Sequence, residues 1–509
     1  MRTSRNGRPY AHRAFRHIGY DNPRHVLPPL RAQGVPSARR GGSRSLPVLT
    51  RLDSLPYGVC GARQHSATCV PGILARVPNS AVLAAQHNDD TFEDIWEELN
   101  WRGCVQVSTD PAELKKLLAG DPITFYCGFD PTAPSLHLGN LVQLIVMRRL
   151  QLAGHHPLGL VGGSTGLIGD PRPAAERALN THETVAEWTG HLEQQMSRFL
   201  TKGGGNSLRL VNNLVWTVGL SAIDFLREIG KHYRVGTMLK KDAIATRLAS
   251  DAGISYTEFS YQILQGFDFL ELYRSFGCVL QTGGSDQWGN LTSGTDLIHR
   301  VEGATVHAFG TPLITNSDGT KFGKSEGNAI WLDASLCSPY RMYQFWLNTD
   351  DRDVIERLKV FTFLGRSRIE ELAIAVVTEP FKREAQRVLA AEVTKLVHGP
   401  DVTAAVIAAS RALFGNGDPT KLEPAAFEAA LRELPHITAT RDVSVAQILV
   451  DVSLATSLSD ARRAIGQGGV FLNNVRVVGQ LASLAEAGIE PGMVVVRRGK
   501  KTLAGLFVV

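Results

Sequence analysis

Apolar positions along this chain follow two alternating spacings. From Asp89 onward, stretches with helical spacing (Phe92 to Trp101, Glu113 to Leu118, Leu141 to Ala153, Glu183 to Leu200) are interleaved with short β-favouring runs (Ile123 to Cys127, Leu158 to Val161, Leu208 to Val211). Strand and helix in alternation imply parallel strands joined by crossover helices, so the pattern predicts an α/β unit with a doubly wound parallel sheet. Further strands are expected at Val279 to Gln281 and Thr311 to Ile314, and helices from Ser221 and from Glu258, so the unit closes near Leu332. From Ser335 to Leu434 the text is nearly continuous helix, rich in Ala and Glu. Pro435 to Asp442 reads as a linker. Helices at Ser444 to Asp451 and Ser459 to Gln467 then precede two apolar runs, Val470 to Leu472 and Val475 to Val478, separated by Asn473 and Asn474. Asn tolerates the positive φ of hairpin turns, which makes this a small α+β domain ending in a tight hairpin. The predicted divisions are 1–88, 89–334, 335–434 and 440–509.

Composition changes the picture mainly at the start of the chain. The 509 residues are 43% hydrophobic and 20% charged, a globular balance, and no run approaches the ~18 apolar residues of a membrane-spanning helix. Six cysteines without a C-x-x-C pair support neither a disulfide framework nor a closed zinc site, so no metal centre is expected and a reducing compartment fits. The net charge of +5 conceals an asymmetry: Met1 to Asn88 holds thirteen Arg, no Lys and two acids, a local +11 that leaves −6 on the rest. An Arg-rich, acid-poor leader without a continuous apolar core reads as an organelle transit peptide, and the expected destination is the mitochondrial matrix. Arg outnumbers Ser, which disfavours a plastid. A disordered basic tail that binds nucleic acid electrostatically is the competing reading.

The densest chemistry lies in YCGFDPTAPSLHLGN, Tyr126 to Asn140, where a strand empties into a Gly and Pro loop and then a helix. A helix N-terminus after a parallel strand offers free N–H groups and partial positive charge to a phosphate, and Thr132, His137 and Asn140 add neutral donors there. Generic nucleotide motifs fail. Gly163, Gly166 and Gly169 lack the first tight glycine pair of the dinucleotide fingerprint, and in GTKFGKS the position a P-loop reserves for its first glycine is Asp318. What remains is a loop with two ammonium groups, Lys321 and Lys324, able to follow charge on a leaving pyrophosphate. Further along, Tyr261, Gln265 and Asp268 stand at i, i+4 and i+7, which puts three polar groups on one helix face. A polar face in an α/β core calls for a ligand.

HLGN (His137 to Asn140) and KFGKS (Lys321 to Ser325), in that order, resemble the HIGH and KMSKS signatures of class I aminoacyl-tRNA synthetases. YCGFDPT, LVGGSTGLIGDP, FSYQILQ and GGSDQWGN narrow the resemblance to bacterial-type tyrosyl-tRNA synthetases, over Asp89 to Val509. The resemblance implies a Rossmann-like catalytic domain with a connecting dimerisation region, then a helical anticodon-binding domain. It implies ATP-dependent ligation of L-tyrosine to tRNA(Tyr) through a tyrosyl-adenylate, with ATP bound as its magnesium complex and no tightly held cofactor. Asp268 and Tyr126 would share the phenol oxygen of the substrate, and Tyr261, Gln265 and Gln287 would hold its ammonium. Asp170, Thr165 and Asn213 match family positions around that ammonium. Gly128, Asp130, Gly139, Gly284, Asp286 and Ser325 fall near the ATP or adenylate; of the catalytic set, Asn140 falls near the ribose, and His137, Thr132, Lys321 and Lys324 act on the phosphates. Phenylalanine would leave the phenol-reading groups unpaired, a rule for which this family is the standing example, so no editing domain is required.

Two departures stand out: Arg172 to Arg177 replaces the small residues and lysines usual after Asp170-Pro171, and Asn140 stands where the first signature ends in His. The stretch Leu458 to Asn474 resembles a small RNA-binding domain shared with a ribosomal protein. Thr440 to Val509 carries eight basic residues against five acids, and Arg462 and Arg463 are its candidate RNA contacts. A symmetric homodimer serving one tRNA across both subunits is the form the family implies, away from membranes. Three other readings stay open: an RNA-binding factor that kept the fold, a tryptophan enzyme of the same class, and a small-molecule nucleotidyltransferase. Intact signatures, the Tyr126 and Asp268 pair, and the C-terminal module disfavour them in turn.

Overall fold

The structure, a computed structural model, describes residues 80–171, 178–249, 253–317, 322–325, 328–414, 417–478, 483–499 and 502–509. Among them one sheet has six strands: β1 (Val107–Ser108), β2 (Thr124–Phe129), β3 (His156–Val161), β4 (Arg209–Asn212), β5 (Cys278–Gly284) and β6 (His307–Thr311). Their order is β1-β6-β5-β2-β3-β4. From β2 to β6 every pairing is parallel, so the expected doubly wound sheet is present. The chain steps outward from β2 to β3 and β4, then returns across β2 to lay down β5 and β6. The order therefore reverses between β2 and β5, and at such a reversal the crossovers part and leave a crevice beyond the strands' C-terminal ends. The antiparallel edge β1 was not expected, since two half-buried residues leave no readable alternation.

The helix Leu138–Leu152 follows β2 and is buried along almost its whole length, lying between the sheet and the helical domain. Its start is fixed by its own residues: His137 Nδ1 accepts the Gly139 N–H at 3.0 Å, and Asn140 Oδ1 accepts the His137 N–H at 3.1 Å. This reciprocal cap satisfies two N–H groups that helix geometry leaves over. Gly139 is needed, because a Cβ there would stand 2.8 Å from His137 Cε1. At the far end Arg149 reaches Glu98 Oε1 at 2.6 Å, and Arg102 reaches the same oxygen at 2.8 Å. Exposure of the three is 0, 1 and 0%. Arg102 Nη1 and Nη2 and Arg149 Nη2 go on to the carbonyls of Lys359, Leu364 and Thr362, while Arg149 Nε has no partner among the described residues, so one carboxylate and two guanidiniums tie the first described helices, the sheet and the helical domain together.

Arg148 holds the carbonyl of Leu83 and the side chain of Gln86. This corrects the boundary of the leader: Ser80–Ala84 is helical, Leu83 is buried, and Asn88 donates to the Arg149 carbonyl, so 80–88 belongs to the packed body. The rest of the leader lies outside the described residues.

Between 335 and 434 the expected helical domain comprises six α-helices among the described residues, from Pro339–Leu347 to Pro424–Arg432. Its apolar side is continuous with that of the sheet. Trp346, fully buried, packs on Phe345 and Phe361, and Phe322 inserts against all three rings. Two short strands, β7 (Lys324–Ser325) and β8 (Asn328–Ala329), pair just beyond Phe322.

The C-terminal domain is a five-stranded sheet, β9 (His436–Ala439), β10 (Val470–Leu472), β11 (Val475–Arg476), β12 (Gly492–Arg498) and β13 (Thr502–Val508), in the order β11-β10-β12-β13-β9. The expected linker is thus partly a strand: β9 pairs in parallel with β13, His436 opposite Gly505. The hairpin is as expected, with φ of 46° at Asn473 and 64° at Asn474. Helices Val445–Asp451 and Leu458–Gly466 cover one sheet face and share a separate apolar core with it.

Candidate active site

The crevice at the β2 and β5 reversal is a cavity of about 490 Å³. β2 delivers Tyr126 and Gly128, the loop after it Asp130 and Thr132, and the capped helix start His137, Gly139 and Asn140. The turn after β3 adds Thr165 and Asp170. The helix Tyr256–Phe276, capped by Ser255, adds Tyr261, Gln265 and Asp268 on one face, and β5 with its following turn adds Gln281, Gly284, Asp286 and Gln287. The structure thus assembles the expected residues from six segments of the chain. Asn213 stands one layer behind. Lys321 and the altered loop Arg172 to Arg177 lie outside the described residues, and of Lys324 and Ser325 only the backbone in β7 is described.

Asp268 is the centre of a buried network. Its Oδ2 accepts from Asn213 Nδ2 at 2.9 Å and its Oδ1 from the Trp216 indole N–H at 2.8 Å. Burial pushes its carboxyl up to about 7, against the pull of those two neutral donors. Asn213 also donates to Thr165 Oγ1 at 3.0 Å, Thr165 to Asp130 Oδ1 at 2.6 Å, and Tyr261 to Asp130 Oδ2 at 2.7 Å. Asp170 is held by Gln287 at 3.1 Å and Asn290 at 2.9 Å. Burial, then the carboxylates of Asp130 and Asp170, raises the Tyr261 phenol far above its ordinary range, so it stays a donor.

Two polar atoms in the wall are left over. Tyr126 OH and Gln281 Oε1 have no hydrogen-bond partner among the described residues although both side chains are buried. They are register partners on β2 and β5, so they stand side by side at the reversal. A buried hydroxyl and a buried carbonyl without partners are costly, roughly 1–3 kcal/mol each, and their natural complement is a ligand. The lining also contains Asp130, Asp170, Asp268 and Asp286 but no Lys or Arg among its described residues, which favours a cationic group. Anionic phosphates would then depend on N–H and imidazole donors. His137 Nδ1 accepts from the backbone, which leaves the ring proton on Nε2 and makes that atom a donor.

Sequence reasoning missed Trp216, Asn290 and Gln281. Trp216 follows Asn213 by three residues in the short helix Leu214–Thr217, so its shared direction with Asn213 was available as a signal. Gln281 becomes visible only through its pairing with Tyr126.

The comparisons with known proteins agree with this geometry. The family model described as tRNA synthetases class I (W and Y) matches residues 118–415. The chain belongs to that family. A second model, the tyrosine–tRNA ligase C-terminal domain, matches 426–504. The chain is 69% identical over 428 residues to the tyrosine–tRNA ligase of Leifsonia xyli, an alignment covering 84% of this chain and 97% of the relative. With that of Streptomyces avermitilis it shares 59% over 417 residues, covering 82% and 99%. Among solved structures, a C-terminally truncated mitochondrial tyrosyl-tRNA synthetase from Aspergillus nidulans superposes with a TM-score of 0.58 at 29% identity, covering 64% of this chain and 95% of that one. Within its class the chain falls in the tyrosyl branch.

Proposed function

We propose that the cleft activates L-tyrosine with ATP and passes it to the terminal ribose of tRNA(Tyr). The observation that carries this reading is the pair of unmet polar atoms, Tyr126 OH and Gln281 Oε1, in the same cleft wall as Asp268. Each Asp268 oxygen has accepted one neutral donor and keeps a lone pair, so a phenol O–H directed there is accepted by Asp268 while its oxygen accepts from Tyr126. The substrate ammonium meets Asp170, Gln287, Gln265 and Tyr261. The tyrosine carboxylate attacks the α-phosphorus of ATP; the bond to the bridging oxygen breaks and pyrophosphate leaves. Catalysis is positioning plus charge stabilisation: His137 Nε2–H and Thr132 donate to the phosphates, Asn140 lies toward the ribose, and Lys321 and Lys324 neutralise the leaving group. Magnesium arrives with ATP as part of that substrate. A ribose hydroxyl of the tRNA end then attacks the adenylate carbonyl carbon and AMP departs.

The working unit is a homodimer. Val215, Val218, Ile223, Leu226 and Val235 form an apolar stretch on the connecting region, with Val215 and Val218 73 and 78% exposed, and a second copy is the occupant we assign to it. The helical domain takes the anticodon arm. For the place of work, the Arg-rich leader supports a mitochondrial role, whereas the bacterial origin of the relatives at 59 to 69% identity favours a bacterial one. Import of a reporter fused to residues 1–88 into isolated mitochondria separates the two.

The reaction is tested by tyrosine-dependent exchange of pyrophosphate into ATP on the full chain, with phenylalanine and tryptophan as controls. Exchange with tyrosine alone, lost in Asp268→Ala, is expected. Exchange with none of the three, from folded protein, would overturn the reading.

A further inference from the structure

The arginines of the C-terminal domain divide by sheet face. On the helix-covered face Arg463 and Arg498 both pair with Asp460, at 2.8 and 2.7 Å, so much of the charge there is already neutralised. On the opposite face the strand register builds a row: Phe471 of β10 lies directly opposite Arg476 of β11 on one side and Arg497 of β12 on the other. The Arg497 guanidinium lies 4.0 Å from the Phe471 ring centroid, and Arg497 Nε has no partner. Neither Arg476 nor Arg497 forms an ion pair among the described residues; Arg476 Nε donates to the Gly468 carbonyl at 2.8 Å and Arg497 Nη1 to that of Gly499 at 2.9 Å. Gly468, at φ +67°, has no side chain where the Arg476 guanidinium passes, since a Cβ would stand 2.6 Å from it. Carbonyl contacts orient the two cations without neutralising them.

This row has a fixed place in the molecule. Further along the same face Val495, Leu503 and Phe507 pack against the helical domain, and Asn474 in the hairpin turn donates to the carbonyls of Ala412 and Gly417. The row is therefore the open continuation of the seam between the two domains proposed to meet tRNA.

We propose that Arg476, Phe471 and Arg497 form a platform for one unpaired nucleotide of the tRNA, with the base stacked on the guanidinium and ring and its phosphate paired with Arg476. A planar cation resting on an aromatic ring presents a flat surface that suits a base, whereas bases inside a stem have both faces covered and cannot use it. The inference rests on the tRNA ligase reading, and it adds a contact on the sheet face opposite to Arg462 and Arg463.

The test compares full-length Phe471→Leu, Phe471→Trp, Arg497→Lys and Arg476→Ala with the parent. Pyrophosphate exchange, which needs no tRNA, reports an intact cleft, and the thermal melt followed by circular dichroism reports whether the C-terminal domain, with its own core, stays folded. The KM for tRNA in aminoacylation is expected to rise about tenfold in Phe471→Leu and in Arg497→Lys, which keeps the charge but loses the plane, and to hold in Phe471→Trp. Arg476→Ala should lower the slope of log binding against log salt by about one. Unchanged tRNA KM in Arg497→Lys overturns the proposal, and that partly buried surface change decides alone if Phe471→Leu loosens the domain. Equal weakening toward tRNA and inorganic polyphosphate also overturns it, leaving plain charge attraction. A parent without tyrosine-dependent exchange sinks the ligase reading, while direct tRNA binding by the variants still decides this one.

Discussion

Glu98 and Asp268 are both carboxylates with almost no exposure, and they are held in opposite ways. Glu98 Oε1 accepts from two guanidiniums, three of whose other nitrogens donate to main-chain carbonyls. Asp268 receives only an amide and an indole N–H. In the first case charge is answered by charge, although Arg149 Nε is left without a partner and burial, then the neighbouring Arg102, lowers that guanidinium to about 9. In the second, the neutral donors undercompensate burial, the carboxyl rises to about 7, and an unpaired phenol stands in the same wall. The lesson is that neither burial nor incomplete compensation alone marks function; unmet polar atoms that line a cavity do.

The two should respond to neutralisation with opposite sign. Glu98→Gln strands two buried guanidiniums and is expected to cost roughly 3–5 kcal/mol of stability in denaturant unfolding, with tyrosine affinity of the folded protein unchanged. A loss below about 1 kcal/mol would show that the joint is not one unit. Asp268→Asn is expected to leave stability equal or higher, while kcat/KM for tyrosine falls by about 2–4 kcal/mol, or thirty- to a thousandfold. If it unfolds the protein instead, the contrast fails.

Proton linkage gives a subtler difference. Asp268 holds its proton more tightly folded than unfolded, so between the unfolded value of 3.8 and about 7 the native state carries an extra proton. Its contribution to stability is full below that window and is lost as pH rises through it. Subtracting the Asp268→Asn stability profile from the parent's, without substrate, should isolate a decline from about pH 4 to 7, and a flat difference would contradict the raised carboxyl. The smallest effect belongs to Asp460, which repeats the Glu98 arrangement near the surface. Arg498, backbone and Arg463 hydrogen bonds hold its carboxyl below the usual range, yet water and salt screen the pairs. Asp460→Asn should change the melting temperature little, and less still at high salt.

Much of this was legible in the sequence where local chemistry dictates the outcome. The strand into glycine into capped helix at Tyr126 to Asn140 carries its own turn residues, and Asn473 with Asn474 supplies the two positive φ angles a tight hairpin needs. What stayed hidden depends on distant partners. β9 is four residues whose pairing strand comes more than sixty positions later. The start of the packed body at Ser80 is set by Arg148, not by any signal in 80–88 itself. Trp216 acts only because the helix bearing Asp268 passes beside it.

The helix that begins with the His137 cap carries Arg149 in its last turn, in the joint with the helical domain. At 1.5 Å per residue its fifteen residues make a rod of about 22 Å. A tilt of about 3° pivoting at Arg149 would carry the His137 imidazole about 1 Å, and displacements of that size cost reactions of this kind on the order of a hundredfold. The angular tolerance of the phosphate site is therefore set at the opposite end of the rod, by how stiffly two buried cations share one carboxylate.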